Sequence, residues 1–382
     1  MIKEIFKAYY NYYFMPRYPL GLVLYLTNAC NLRCGFCEIG LANIRGIRRT
    51  VATQELSQAE IDECINLCCK MGIGKVYITG GEPFLSNNLF YLLSQCKKHH
   101  LIVQDITSNG VSFYKLRKGN IQLINDVVKD IIISIDNCEA KEHDRNRGME
   151  GTFYKIENFF TYERVEKFKN MNFSLNVVVH KNNFKQLKGI IDLGLKWHIR
   201  HINFQPVSPE SIFPDMQLNG LKEDYIRSFN LDDFRQAIEE VTEYVNNKDI
   251  STNLEIFKLW VPFYFKYLRS SQFFFKKVSR KFFCSKVFNF IHINYRGDLL
   301  PCSNLKPIAN LRENDYFEKW QNYGKKIKIL FNEKKYFEQC KACFCDYPAN
   351  LRYSLLYFPF SNFRLLLRLT QYYLKRNKIR YD

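Results

Sequence analysis

The apolar and polar positions of this chain alternate on two periods. Residues 20–27, LGLVLYLT, form a nearly unbroken apolar run that reads as a buried strand ending at polar Asn28. Residues 56–72 then show helical spacing behind a Ser57 cap, and residues 75–81 form a second strand. The alternation continues with helices near 88–99, 121–129, 152–168 and 184–194 and strands near 101–107, 131–136, 173–180 and 201–207. Six strands separated by helices predict an α/β fold with parallel strands and right-handed crossovers. Asn28, Gly80-Gly81-Glu82-Pro83, Ser108-Asn109-Gly110, Asp136 and Gln205-Pro206 all fall where strands end. In barrel-type α/β folds those ends carry the chemistry.

Beyond residue 207 the pattern becomes helical and mixed. Between Glu255 and Asp298 there is no acidic residue, whereas nine Lys or Arg intervene. The whole chain carries a net charge of +18, which favours an anionic partner or else a solvated basic surface. An apolar fraction of 47% and a charged fraction of 25% suit a globular protein and exclude a disordered one. No apolar run approaches the length of a spanning helix. The first twenty residues lack a continuous apolar core and a small-residue cleavage site, so the expectation is a reduced, cytoplasmic chain. In that setting thirteen unevenly spaced cysteines point to metal binding rather than disulfides.

The segment TNACNLRCGFC sets Cys30, Cys34 and Cys37 in a C-x3-C-x2-C array directly after the first strand. Thiolates ligate iron–sulfur clusters, and three of them leave one iron open for another molecule. A zinc site and three buried cysteines are the alternatives; no fourth ligand lies close in sequence. The array resembles the signature of the radical S-adenosylmethionine (SAM) superfamily, including aromatic Phe36 before the last cysteine. The resemblance extends over residues 20–210 and implies a partial (β/α)6 TIM-like barrel. It implies that Gly80, Gly81, Glu82 and Pro83 contact the amino group of SAM. It places Ser108, Asn109, Ser134 and Asp136 along the SAM pocket, Arg147 at its carboxylate, and Asn176 and Gln205 near ribose and adenine. The same resemblance implies reductive cleavage of SAM at a [4Fe–4S] cluster, a 5′-deoxyadenosyl radical that abstracts a substrate hydrogen, and a reducing flavodoxin or ferredoxin.

A second group comprises Cys284, Cys302, Cys340, Cys343 and Cys345. HINYRGDLLPC reads as a hairpin that turns at Gly297 and ends at Cys302. It resembles the SPASM and twitch extensions of radical SAM enzymes, with Cys284, Cys302, Cys340 and Cys343 as four ligands of one auxiliary cluster and Cys345 as a replacement or spare. A zinc ribbon stays open here. Cys64, Cys68, Cys69, Cys96 and Cys138 read as core residues or bystanders.

The resulting division is an N-terminal extension (1–19), the barrel (20–210), a helical and basic connection (211–280), a small cysteine-rich auxiliary-cluster domain (281–348) and a basic amphipathic tail (349–382). The extension is too short for a winged-helix peptide-recognition domain, which disfavours peptide maturation; a peptide side chain, a sugar and a lipid-linked intermediate stay open as substrates. Basic and aromatic residues interleave at 262–283, which keeps open a nucleic-acid-binding protein with a structural metal site. In the tail, Leu365, Leu366, Leu369, Tyr372 and Tyr373 recur at helical spacing among Arg364, Arg368, Lys375, Arg376 and Lys378. That stripe suits peripheral contact with the inner face of the membrane, or a helix packed on the barrel.

Overall fold

A computed structural model describes residues 19–46, 55–168, 171–207, 230–255, 257–258, 289–302 and 305–332. The expectations placed on the N-terminal extension, the basic segment 262–283, Cys284, Cys340, Cys343, Cys345 and the tail lie outside the described residues.

The six expected strands form in order: β1 (Gly21–Thr27), β2 (Lys75–Gly80), β3 (Ile102–Ser108), β4 (Asp130–Ser134), β5 (Asn172–Val179) and β6 (His201–Pro206). Each pairs in parallel with the next, as alternation with helices requires. The helices between them are α1 (Glu38–Ile44), α2 (Gln58–Lys70), α3 (Leu89–Lys98), α4 (Lys118–Val127), α5 (Ala140–Arg147), α6 (Thr152–Asn158) and α7 (Leu187–Lys196). After α6 the chain passes through a π turn at Phe159–Glu163 before a last helical turn at Arg164–Lys167. Helix α8 (Leu231–Val245) and the short strand β7 (Ser251–Thr252) extend the sheet beyond β6.

Strand alternation divides the sheet into two faces. Leu22, Leu24, Val76, Ile78, Ile106, Ile131, Ile133, Leu175 and Phe204 have no exposed surface and belong to the core shared with the helices. The opposite, inner face is polar and half-buried: Tyr25, Tyr77, Asp105, Asp130, Asn176 and Asn203 lie on it. A face free of helices and rich in polar groups is where a ligand can sit.

The expected hairpin forms as β8 (Phe290–Ile293) and β9 (Asp298–Leu300), paired antiparallel around Gly297, whose φ of 81° favours glycine. It does not stand apart from the barrel. β8 pairs in parallel with β1, so the ten-stranded sheet runs β10-β9-β8-β1-β2-β3-β4-β5-β6-β7, with β10 at Ala309–Asn310. The hairpin and the following α9 (Tyr316–Asn332) are tied to α2 by an Arg312–Glu60 ion pair at 2.6 Å and a hydrogen bond from Tyr316 Oη to Glu63.

Glu60 also closes a capping box with Ser57: its backbone N–H donates to Ser57 Oγ, and its carboxylate accepts from the Ser57 N–H at 2.8 Å. Ser57→Ala is therefore expected to cost about 1 kcal/mol, read as a lower thermal midpoint. An unchanged midpoint would show that tertiary packing alone fixes this helix start.

Candidate functional site

The cysteine loop leaves the C-terminal end of β1 and is clamped from three sides. From α1, Asn43 Nδ2 donates to the carbonyls of Cys30 and Leu32 at 3.0 and 2.8 Å. Gly40 brings α1 so near that a Cβ there would stand 2.3 Å from the Cys34 carbonyl oxygen. From the turn after β2, the Gly81 and Glu82 N–H groups donate to the carbonyls of Thr27 and Ala29 at 2.7 and 2.6 Å. A Cβ at Gly81 would lie 2.0 Å from the Ala29 oxygen, so only glycine permits this approach. From α5, the Arg147 carbonyl accepts the Arg33 N–H at 2.9 Å.

Glu82 is fully buried. Its carboxylate accepts from Ser108 Oγ at 2.9 Å, the Asn109 N–H at 2.7 Å and the Phe84 N–H at 3.1 Å. Burial nevertheless pushes its carboxyl up to about 7, against those three bonds. Pro83 opens the short 3-10 turn that Glu82 caps. Asn109 Nδ2 donates to Asn31 Oδ1 at 2.8 Å and approaches Cys30 Sγ at 4.0 Å. The turn after β2 and the end of β3 therefore back the cysteine loop as one hydrogen-bonded unit.

A buried ion pair lies on the far side. Arg147 Nε stands 2.8 Å from Asp136 Oδ2, off the hydrogen-bond line, and both side chains are almost wholly buried. Arg147 Nη1 donates to Cys34 Sγ at 3.9 Å, and the guanidinium lies 5.6 Å over the Phe36 ring. Arg147 Nη2 is buried with no hydrogen-bond partner. Burial works against the guanidinium, but Asp136 and Cys34 hold it above its usual range. Burial pushes the Asp136 carboxyl up and outweighs Arg147. Asp136 Oδ1 accepts the Val178 N–H at 3.2 Å, and its backbone N–H donates to His143 Nδ1 at 3.3 Å.

Ser134 and Gln205 are half-buried on the same inner face at or next to the ends of β4 and β6, and Asn176, also half-buried, lies within β5 as the register partner of Ser134. Asn176 Oδ1 accepts from Asn203 Nδ2 at 2.8 Å. The expected barrel-site residues thus gather at one mouth of the barrel. Sequence reasoning missed Asn43, Asn31, Asn203 and the buried His180, whose ring is 5.5 Å from Phe36. It also missed Glu55, which accepts from Thr27 Oγ1 and Ser86 Oγ beneath the loop. Asn31 occupies a variable position of the cysteine motif and the others sit in no recognisable motif, so only their position after a strand or in the loop could have singled them out. Of the second cysteine group the described residues include Cys302, which is buried at the end of the hairpin. Cys64, Cys68 and Cys96 are core residues, Cys69 is exposed beside His99, and Cys138 is half-buried.

These residues fit a four-iron cluster with SAM. Burial pushes the Cys30 thiol up and the Cys34 thiol up to about 12, so bare thiolates are disfavoured and bound iron is what deprotonates them. Hydrogen-bond donors already face the sulfurs: the Leu32 N–H at 3.5 Å from Cys30, and Arg147 at Cys34. The orphaned Nη2 of Arg147 offers a buried cationic donor to a carboxylate.

Comparison with known proteins agrees. Residues 24–194 match the radical SAM superfamily, and residues 284–344 match an iron–sulfur cluster-binding domain. The PqqA peptide cyclase of Xanthomonas euvesicatoria pv. vesicatoria (strain 85-10) is 27% identical over 186 residues, 48% of this chain and 46% of that protein. A probable GTP 3′,8-cyclase of Thermococcus kodakarensis is 28% identical over 131 residues, 34% of this chain and 39% of that protein. The chain thus spans about half the length, or less, of these curated relatives. Among solved structures, SuiB of Streptococcus suis aligns with a TM-score of 0.56 at 19% identity, over 80% of this chain and 66% of that one. anSMEcpe with bound AdoMet aligns with a TM-score of 0.58 at 16% identity, over 92% and 100%. These two likenesses concern the fold.

Proposed function

We propose that this chain, whose residues 24–194 match the radical SAM superfamily and residues 284–344 an iron–sulfur cluster-binding domain, removes a hydrogen atom from a peptide side chain. The similarity of its barrel half to a peptide cyclase carries this reading. The bound cluster and SAM supply reductive cleavage of SAM and hydrogen-atom abstraction. Bound at its own cysteines, a second cluster would supply an acceptor for the electron left on the substrate, and the net change would then be an oxidation of the peptide. A reduced flavodoxin or ferredoxin supplies the electron that starts each turnover.

The chain's own residues bind and orient. Cys30, Cys34 and Cys37 hold the first cluster, with Arg147 and Asn109 facing its thiolates. Arg147 Nη2 receives the SAM carboxylate. The turn at Gly80-Gly81-Glu82-Pro83 sets the wall against which the amino group rests. Ser108, Asn109, Ser134, Asp136, Asn176 and Gln205 shape the pocket for the rest of the molecule. Cys302, with Cys284, Cys340 and Cys343, holds the second cluster, and Cys345 is either a replacement for Cys343 or a spare. The polar inner face beneath the mouth admits the substrate side chain. Among the described residues no helix is long and apolar enough to cross a membrane. The reading places the enzyme in the cytoplasm, its basic tail lying on the membrane surface or on the barrel.

Anaerobically reconstituted protein with dithionite and SAM is expected to release 5′-deoxyadenosine. Adding short peptides encoded beside the gene is expected to give one dehydrogenated product by mass spectrometry. Release of 5′-deoxyadenosine with no peptide altered, while a nucleotide or sugar is altered, would move the substrate elsewhere. No release from an iron-loaded preparation would remove the whole reading.

A further inference from the structure

The outer rim of the barrel, between the end of β3 and α4, carries a basic and aromatic surface that the site at the mouth does not use. Between Asp105 and Asp126 the chain has no acidic residue, whereas Lys115, Arg117 and Lys118 fall within four positions. All three are exposed. Tyr114 beside them is 56% exposed, and its ring lies 5.5 Å from the Lys115 ammonium and 5.9 Å from that of Lys155 on α6. Tyr154, next to Lys155, is 63% exposed. Two segments far apart in sequence thus meet in one patch of four cations and two tyrosines. Of the four acids on residues 140–158, three are engaged elsewhere: Glu142 pairs with Arg145, Asp144 accepts the Gly151 and Phe153 N–H groups, and Glu157 pairs with Lys196.

The local structure does not need these charges. Arg117 caps α4 without a side-chain hydrogen bond, and Lys118 opens a first turn that holds no acidic residue. Positive charge at a helix N-terminus opposes the helix dipole, so the arrangement weakens α4 and concentrates positive potential at its start. The Tyr114 ring already carries ammonium groups, which disfavours stacking by a nucleic-acid base. Leu116, the apolar residue among the cations, is half-buried rather than presented to a lipid surface. A polar, basic surface of this kind suits a brief encounter with an acidic protein, steered by charge. Its place in the fold indicates which protein. Asn109 Nδ2 approaches Cys30 Sγ at 4.0 Å. Tyr114 follows five residues later, so the Cα atoms of the two are within about 18 Å of each other. Phe113, between them, is buried with its ring 5.0 Å from that of Phe84, whose N–H donates to Glu82. The patch is therefore the outer side of the packed unit that backs the cysteine loop.

We propose that Tyr114, Lys115, Arg117, Lys118 and Lys155 form the docking surface for the electron donor, a small acidic redox protein. The proposal rests on the reading above, in which a reduced flavodoxin or ferredoxin starts each turnover, and it assigns that donor a place on this chain. The docked donor is oxidised by one electron, and the site held by Cys30, Cys34 and Cys37 is reduced by it; no proton or group is transferred. The cations draw the donor's carboxylates to the rim and turn its redox centre toward the cysteine loop.

The test uses the reconstituted full chain and two probes, a purified acidic flavodoxin and a purified acidic ferredoxin. Wild type is compared with a patch variant, Lys115→Glu, Arg117→Glu, Lys118→Glu. A control makes the same charge change at exposed positions at the other end of the barrel, Lys98→Glu, Lys129→Glu, Arg200→Glu. Glutamate at the start of α4 favours the helix, so the patch variant is expected to fold. Calorimetry at low salt is expected to show a probe that binds wild type and the control alike, and the patch variant about tenfold more weakly. Its affinity for wild type is expected to fall as salt is raised. With the same donor reduced, the patch variant is expected to need about tenfold more of it for half-maximal release of 5′-deoxyadenosine. Release driven by dithionite is expected to stay at the wild-type level. Equal binding to wild type and the patch variant overturns the docking surface, as does failure of both probes to bind wild type. Equal weakening in the patch variant and the control also overturns it, because net charge alone then accounts for the effect. Dithionite-driven release from wild type reports separately on the parent reading, so the two failures are distinguishable.

Discussion

The Cys30→Ala, Cys34→Ala, Cys37→Ala variant is expected to release no 5′-deoxyadenosine, yet to keep about four irons per chain on the second cluster. The expectation is a complete loss rather than a graded one. In the proposed assignment the three thiolates are the cluster's protein ligands, and the loop that carries them offers no replacement donor: Asn31, Arg33 and Phe36 are not iron ligands. The fold is expected to survive, because α1, the Gly81 turn and α5 hold the loop through backbone groups and Asn43 rather than through sulfur. Iron analysis and anaerobic release are measured on the same sample. Continued cleavage of SAM in the triple variant would sink the assignment of the first cluster. Zinc without iron in that variant would turn the second cysteine group into a zinc ribbon. Cys345→Ser in the wild-type background is expected to leave iron content intact if Cys345 is the spare, and to lower it if Cys345 ligates in place of Cys343.

The barrel was legible because its signal is periodic. Apolar runs such as 20–27 and 131–136 end in polar or glycine residues, and each became a strand with its polar end at the mouth. Elements without that signal were invisible. Helix α5, AKEHDRNR, is polar all round and shows no apolar stripe; it forms beside the cysteine loop because His143, Asn146 and Arg147 bury one face there. Helix α1 is seven residues long, and its pattern is interrupted by Gly40, whose role is contact with Cys34. Strand β7 has two residues. Pairing of β8 with β1 joins positions nearly the whole chain apart, which local pattern does not encode. At the site, the cysteines and the Gly-Gly-Glu-Pro turn stand in a recognisable motif, so sequence found them. Asp105 lies inside β3 and Asp130 opens β4, and no sequence signal pairs them until register sets them face to face. The second cysteine group shows the opposite limit: its spacing is clear in the sequence, and of its members Cys302 alone is among the described residues.

Arg147→Met is expected to destabilise the iron-free protein by about 3–5 kcal/mol, because it leaves the Asp136 carboxylate buried without its counter-charge. The sign follows from the pair's surroundings. Asp136 has no exposed surface, and burial already pushes its carboxyl up with the guanidinium present. Removing the guanidinium leaves the Val178 N–H as the remaining hydrogen bond to that side chain among the described residues, which does not replace a full charge. Adding Asp136→Asn to Arg147→Met removes the stranded charge, and most of the lost stability is expected to return in chemical denaturation. Affinity for SAM is expected to stay low in that double variant, since the orphaned Nη2 donor is gone in both. Arg147→Lys restores a charge but not the planar fork, so it is expected to recover stability more than SAM affinity. This split separates the two tasks proposed for the residue: Nε stands beside Asp136, and Nη2, buried without a partner, is the donor proposed for the SAM carboxylate. If the single and double variants unfold at the same denaturant concentration, the ion pair contributes nothing to the fold. If the double variant binds SAM as wild type does, the carboxylate is held by another group and Arg147 is structural.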